Sequence, residues 1–154
     1  MTVTCRHTPR SERRAQIVQT IVDRTGVDEA MIRKVVRAFY AKVRQDTFIG
    51  PIFARAIGDT WDAHLDVMCD FWSSVILMSG RYKGNPMIAH MRLKAVRPAH
   101  FERWLALFRE TTSEICPPET AEAFVSRADN IARSLQLGMF FRPGKQAEAK
   151  PQKA

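Results

Sequence analysis

No apolar run in this 154-residue chain approaches the ~20 residues that a membrane-spanning helix needs, so no span is expected. Cysteine is scarce. Cys5, Cys69 and Cys116 are odd in number and far apart, with no Cys-x-x-Cys pair, which argues against both a disulfide framework and a zinc site. Cys69 reads as a small core residue. Glycine is also sparse, with 7 in all. No glycine-rich phosphate loop, no His-Glu-x-x-His and no Gly-x-Ser-x-Gly is present, so the chemistries those motifs carry have no support. Strand-period alternation and internal repeats are missing as well. The segment from Met1 to Arg14 is polar and basic with no hydrophobic stretch behind it; no secretory signal is expected, and the cytoplasm is the expected location.

What the chain does have is an excess of positive charge, +8 overall. Residues 1–25 and 142–154 hold +3 each, leaving +2 for residues 26–141. The centre is therefore nearly balanced and the basicity sits in the ends. A nucleic-acid-binding helical module is the alternative from another class, but it would want a basic recognition helix in the core.

Nearly every segment repeats its apolar residues at the helical period, which predicts an all-α domain of four main amphipathic helices plus short pieces. Ser11 can cap a first helix carrying Ile17, Val18, Ile21 and Val22, with Gly26 at its exit. Asp28 can cap a second, with Ile32, Val35, Val36, Phe39, Tyr40 and Val43 on one side. Ile49-Gly50-Pro51 breaks that pattern. A third helix is expected from about Asp59 to Met78, then a loop to Pro86 and a short helical stretch containing His90. Pro98 opens a further helix, and Pro117-Pro118 separates it from the last one. The chain thus divides into an extension over 1–25, a central domain over 26–141, and a basic tail over 142–154 too polar to fold.

One residue in the third helix is out of character. His64 shares its stripe with Trp61, Leu65, Met68, Phe71, Trp72 and Val75, while Asp62, Asp66 and Asp70 line another side. An imidazole facing the interior needs a hydrogen-bond partner, a metal or a ligand. Tyr40, His90 and Trp104 look inward from other elements. The separation of His64 from His90 suits the two sides of a flat cofactor better than one tetrahedral ion. Haem iron needs just one protein ligand and leaves its other face open.

Several motifs in register carry a resemblance. Phe39-Tyr40-x-x-Val43-Arg44-x-Asp46 and Gly50-Pro51-Ile52-Phe53 are followed by Trp61-x-x-His64-Leu65 and Asp70-Phe71-Trp72. Arg81-Tyr82-x-Gly84-x-Pro86-x-x-x-His90 and His100-Phe101-x-Arg103-Trp104-Leu105-x-Leu107-Phe108 complete the series. Over about residues 27–140 the chain resembles the group III truncated haemoglobins, a bacterial globin family. It has no Gly-Gly pair, a departure from groups I and II.

The resemblance implies a two-over-two helical sandwich around haem b, with an extra N-terminal helix. It makes His90 the proximal iron ligand and Tyr40, His64 and Trp104 the distal residues. Phe39, Phe53, Met68 and Phe71 match apolar pocket positions, and Tyr82, Arg92 and Arg103 are candidate propionate partners. The implied ligand is dioxygen or another diatomic gas at a five-coordinate iron. A redox enzyme acting on peroxide or nitric oxide is the alternative, and whether the chain is an enzyme stays open. A reductase partner is compatible; membrane and nucleic acid are not expected.

Overall fold

The computed structural model describes residues 9–140, and among them every regular element is a helix. The elements are α1 (Pro9–Thr25), α2 (Glu29–Gln45), α3 (Gly50–Ile57), α4 (Trp61–Leu77), α5 (Pro86–Met91), α6 (Pro98–Ile115) and α7 (Pro118–Phe140). The α2–α4 pair packs over the α6–α7 pair through α2 and α6, giving the two-over-two sandwich. The α5 helix rests on α7, and α1 lies outside against α4 and α7. No described helix is long and apolar enough to cross a membrane. Residues 142–154, expected to form a tail, lie outside the described residues.

Local chemistry explains the boundaries. The Asp28 carboxylate accepts from the Met31 N–H at 2.7 Å, closing the first turn of α2. Asp46 ends α2 and shapes the turn into α3. One of its oxygens accepts from the N–H groups of Phe48 and Ile49, at 3.1 and 2.9 Å, while the other takes the Arg103 guanidinium of α6 at 2.8 Å. That carboxylate thereby fixes the corner between α2, α3 and α6. The break expected at Ile49-Gly50-Pro51 is the start of α3, α2 having already ended at Gln45. Proline cannot continue a helix, yet it suits a first turn, where its missing N–H would have no partner.

Gly26 leaves α1 at φ +71°, a left-handed conformation that a side chain strains. A Cβ there would also stand 2.7 Å from the Thr120 hydroxyl, which donates to the Thr25 carbonyl and ties α7 to this corner. At the far end of α4, Met78 turns left-handed (φ 57°), and its carbonyl accepts from Arg14 of α1 at 3.1 Å.

The core is aromatic at its centre. Phe108 stacks between Trp72 and Trp104, at 5.0 and 5.5 Å between ring centroids, and meets Phe39 edge-on at 5.1 Å. Phe39, Phe108 and Phe124 are fully buried, each stabilising the fold by roughly 1.5–3 kcal/mol through lost water contact. A second, smaller cluster gathers Phe101, Ala132 and Leu135 with Met87, Val96 and Met139. Leu105 and Ile131 border both clusters. Met87 reaches α7 only because position 138 is glycine; a Cβ there would collide with its sulfur and terminal methyl.

Candidate functional site

Tyr40 and His64 come together. The 3.6-residue period of α2 puts Tyr40 on the buried face one turn after Val36, and α4 brings His64 across from it. Their rings meet edge to face, 5.3 Å between centroids at 88°. Trp61, one turn before His64, touches both, at 6.1 Å from Tyr40 and 6.2 Å from His64. Phe53 of α3 closes another side of Tyr40 at 5.9 Å. Trp104 reaches this group through Phe39, which meets Trp104 edge-on at 5.5 Å and Tyr40 at 5.0 Å.

The His64 Nε2 is buried and has no hydrogen-bond partner among the described residues. Burial disfavours the charged ring and pushes its pKa below the usual histidine value, so the imidazole is neutral near pH 7. Burial likewise pushes the Tyr40 phenol far above its ordinary range, which keeps its proton on oxygen. The pair is thus a neutral phenol beside a neutral imidazole.

The stripe around His64 differs from a packed helix face. Trp61, His64, Leu65, Met68 and Phe71 are half-buried, whereas the buried side of α4 is Trp72, Ser73, Ile76 and Leu77. Cys69 is half-buried too and packs against the main apolar cluster, and burial raises its thiol pKa.

His90 belongs to a different part of the molecule. Asn85 caps α5 by accepting from the Ile88 N–H at 3.2 Å, which fixes the turn that carries His90. The His90 Nδ1 lies 2.7 Å from the Pro86 carbonyl. A carbonyl only accepts, so Nδ1 carries the proton and the neutral ring keeps its lone pair on Nε2. Among the described residues no three His, Cys, Asp or Glu side chains gather as a metal-binding group.

The remaining expected residues are spread out. Phe71 packs edge-on against Tyr82 at 5.2 Å, and the Tyr82 hydroxyl folds over Gly84. Burial raises the Tyr82 pKa. Arg92 is exposed at the end of α5. Arg103 is engaged with Asp46, its Nε at 2.9 Å and Nη2 at 2.8 Å from the same oxygen. His100 accepts from the Arg97 N–H at 2.9 Å and stacks on Phe48 at 4.5 Å, so it serves the start of α6. A groove of about 630 Å³ between α6 and α7, over Leu105, Ala132, Leu137 and Phe140, contains none of these groups.

Two residues at the site carry no role in the sequence pattern alone. Trp61 counts there only as a stripe and motif position, with its i−3 spacing from His64 as the available signal. The Arg44 guanidinium lies 4.7 Å over the Trp61 ring.

No protein-family profile matches the chain. It is similar to the "Group 3 truncated hemoglobin ctb" of Campylobacter jejuni, with 34% identity over 121 residues, 77% of this chain and 94% of that protein. In three dimensions it is similar to the crystal structure of the group III truncated haemoglobin from the same organism. That likeness has a TM-score of 0.71 at 33% identity, over 75% of this chain and 93% of the other. The identity extends over nearly the whole relative, and the helical sandwich agrees with it. The chain belongs to the group III truncated haemoglobins.

Proposed function

We propose that this chain binds haem b between His90 and the Tyr40–His64 pair and holds dioxygen or another small diatomic ligand on the Tyr40 side. The observation that carries the reading is the buried His64 Nε2, which has no hydrogen-bond partner among the described residues and stands against a buried phenol. Leaving such an atom unpaired costs about 1–3 kcal/mol, so a group that pairs with it belongs there. When bound, haem supplies an iron that takes one protein histidine and presents its other face to a gas.

The residues divide that work. His90 offers the Nε2 lone pair, and the Pro86 carbonyl fixes its ring and tautomer. Tyr40 presents a hydroxyl and Trp104 an indole N–H, both donors toward a ligand with partial negative charge. Phe39, Phe53, Met68 and Phe71 form apolar walls that keep water out. Tyr82 and Arg92 are the candidate propionate partners. Arg103 is the weakest of the three, since Asp46 already holds its guanidinium. Burial keeps the proton on the Tyr40 oxygen, so the phenol is available as a hydrogen-bond donor. The cytoplasm and a reductase partner complete the proposal.

Adding haemin to the purified protein tests the reading. Binding should saturate at equal molar amounts with a sharp Soret band. Weak binding that never saturates would contradict it.

A further inference from the structure

We propose that Arg44 and Trp61 form the solvent-side door of the Tyr40–His64 pair, and that the guanidinium makes this door favour small anions. The inference rests on the proposed haem-binding function for what lies behind the door. Burial orders the residues from outside inward: Arg44 is exposed, Trp61 half-buried, and Tyr40 only 4% exposed. The His64 Nε2 has no contact with solvent.

Three contacts join these layers. The Arg44 guanidinium stacks 4.7 Å over the indole of Trp61, close enough for cation–π attraction. The edge of that indole then meets Tyr40 at 6.1 Å and His64 at 6.2 Å. Trp61 thus stands at the start of α4 with a polar cap on one face and the polar pair on its inner side. Swinging the indole outward breaks the cation–π contact and uncovers Tyr40 and His64 together.

The charge on this door has no ion-pair partner among the described residues, unlike several other cations of the fold. Lys42 is held by Glu110 and Glu114, and Arg103 by Asp46. Arg44 has no carboxylate within ion-pair distance among the described residues. A cation without an ion-pair partner beside an entry route raises the local concentration of anions far more than that of neutral molecules.

The test uses azide with the ferric holoprotein as the anionic probe and carbon monoxide with the ferrous holoprotein as the neutral one. Arg44→Gln should lower the azide association rate about five-fold at low ionic strength, an effect that fades toward about 0.5 M salt. It should leave carbon monoxide association unchanged or faster. Trp61→Ala should speed both. An azide-to-carbon-monoxide ratio equal to wild type in Arg44→Gln, or unchanged rates in Trp61→Ala, would overturn the proposal.

A second readout needs no haem. The Trp61 share of the tryptophan fluorescence, taken by difference from Trp61→Phe, should be quenched by iodide more strongly in wild type than in Arg44→Gln. Quenching by neutral acrylamide should not fall in that variant. Equal iodide quenching in the two proteins would remove Arg44 from Trp61 and end the proposal. A protein that fails to take up haem would instead sink the reading of the site, with the door still judged by quenching.

Discussion

Tyr40 and His64 face each other from α2 and α4 with their rings 5.3 Å apart and nearly perpendicular, and the Nε2 of the histidine has no partner among the described residues. A side chain that deletes the phenol hydroxyl but keeps the ring therefore changes chemistry without changing packing. Tyr40→Phe should alter the oxygen dissociation rate by on the order of tenfold, the effect of one or two hydrogen bonds. Trp104→Phe should change it less, because Phe39 separates its ring from that of Tyr40. Stopped-flow oxygen release from the ferrous protein measures both. A Tyr40→Phe rate equal to wild type beside a strongly altered His64→Leu would make histidine the controlling group.

The buried state of His64 has a consequence for stability. An unfolded histidine takes up its proton near pH 6.5, whereas burial holds the folded pKa lower. Between those two values the unfolded chain binds more protons. Stability therefore falls as pH drops through that window and flattens once folded His64 is itself protonated. Denaturant midpoints between about pH 7 and pH 4 should decline less in His64→Leu than in wild type. Parallel declines would mean that His64 is accessible to protons in the folded state.

Asp46 should matter more than its partner. Burial alone would raise its pKa, but Arg103 and the N–H groups of Ile49 and Phe48 outweigh that and hold it low. Its contribution is present above the unfolded carboxylate pKa and lost as pH falls through the lower folded value. Asp46→Ala leaves those donors without their acceptor and should cost about 1–3 kcal/mol. Arg103→Gln removes only a half-exposed cation and should cost under about 1 kcal/mol. Urea denaturation of both variants gives the comparison, and equal losses would place the weight on the ion pair.

Phe108 is 1% exposed and touches Phe39, Trp72, Trp104 and Phe124. Phe108→Ala should cost about 3–5 kcal/mol and loosen Trp104 with it. Phe108→Leu should keep most of the stability but change ligand kinetics, since Trp104 loses its stacked neighbour. Thermal melts and oxygen release of the two variants separate packing from positioning.

Much of the fold is legible in the sequence because each long helix carries its own period. The expected span of Asp59–Met78 is Trp61–Leu77 in the structure, and the Asp28 cap forms as the sequence suggests. The α3 helix is not legible, since eight residues opened by Gly50-Pro51 hold too few apolar repeats to announce themselves. Long-range pairing is the other blind spot. Nothing in the spacing of Asp46 and Arg103, 57 positions apart, says that they meet. The inward placement of Tyr40 and His64 follows from periodicity, but the direct contact between them, and Arg44 over Trp61, depend on how α2 crosses α4.

The most direct measurement is the visible absorption spectrum of the purified protein, reduced and then exposed to carbon monoxide, for wild type and His90→Gly. The predicted result is a Soret band that shifts on carbon monoxide addition in wild type. In His90→Gly that spectrum should be lost or be restored by added imidazole. A wild-type protein that stays colourless after haemin addition would contradict the haem reading. A native histidine-ligated spectrum kept by His90→Gly and lost by His64→Ala would reverse the two faces of the site.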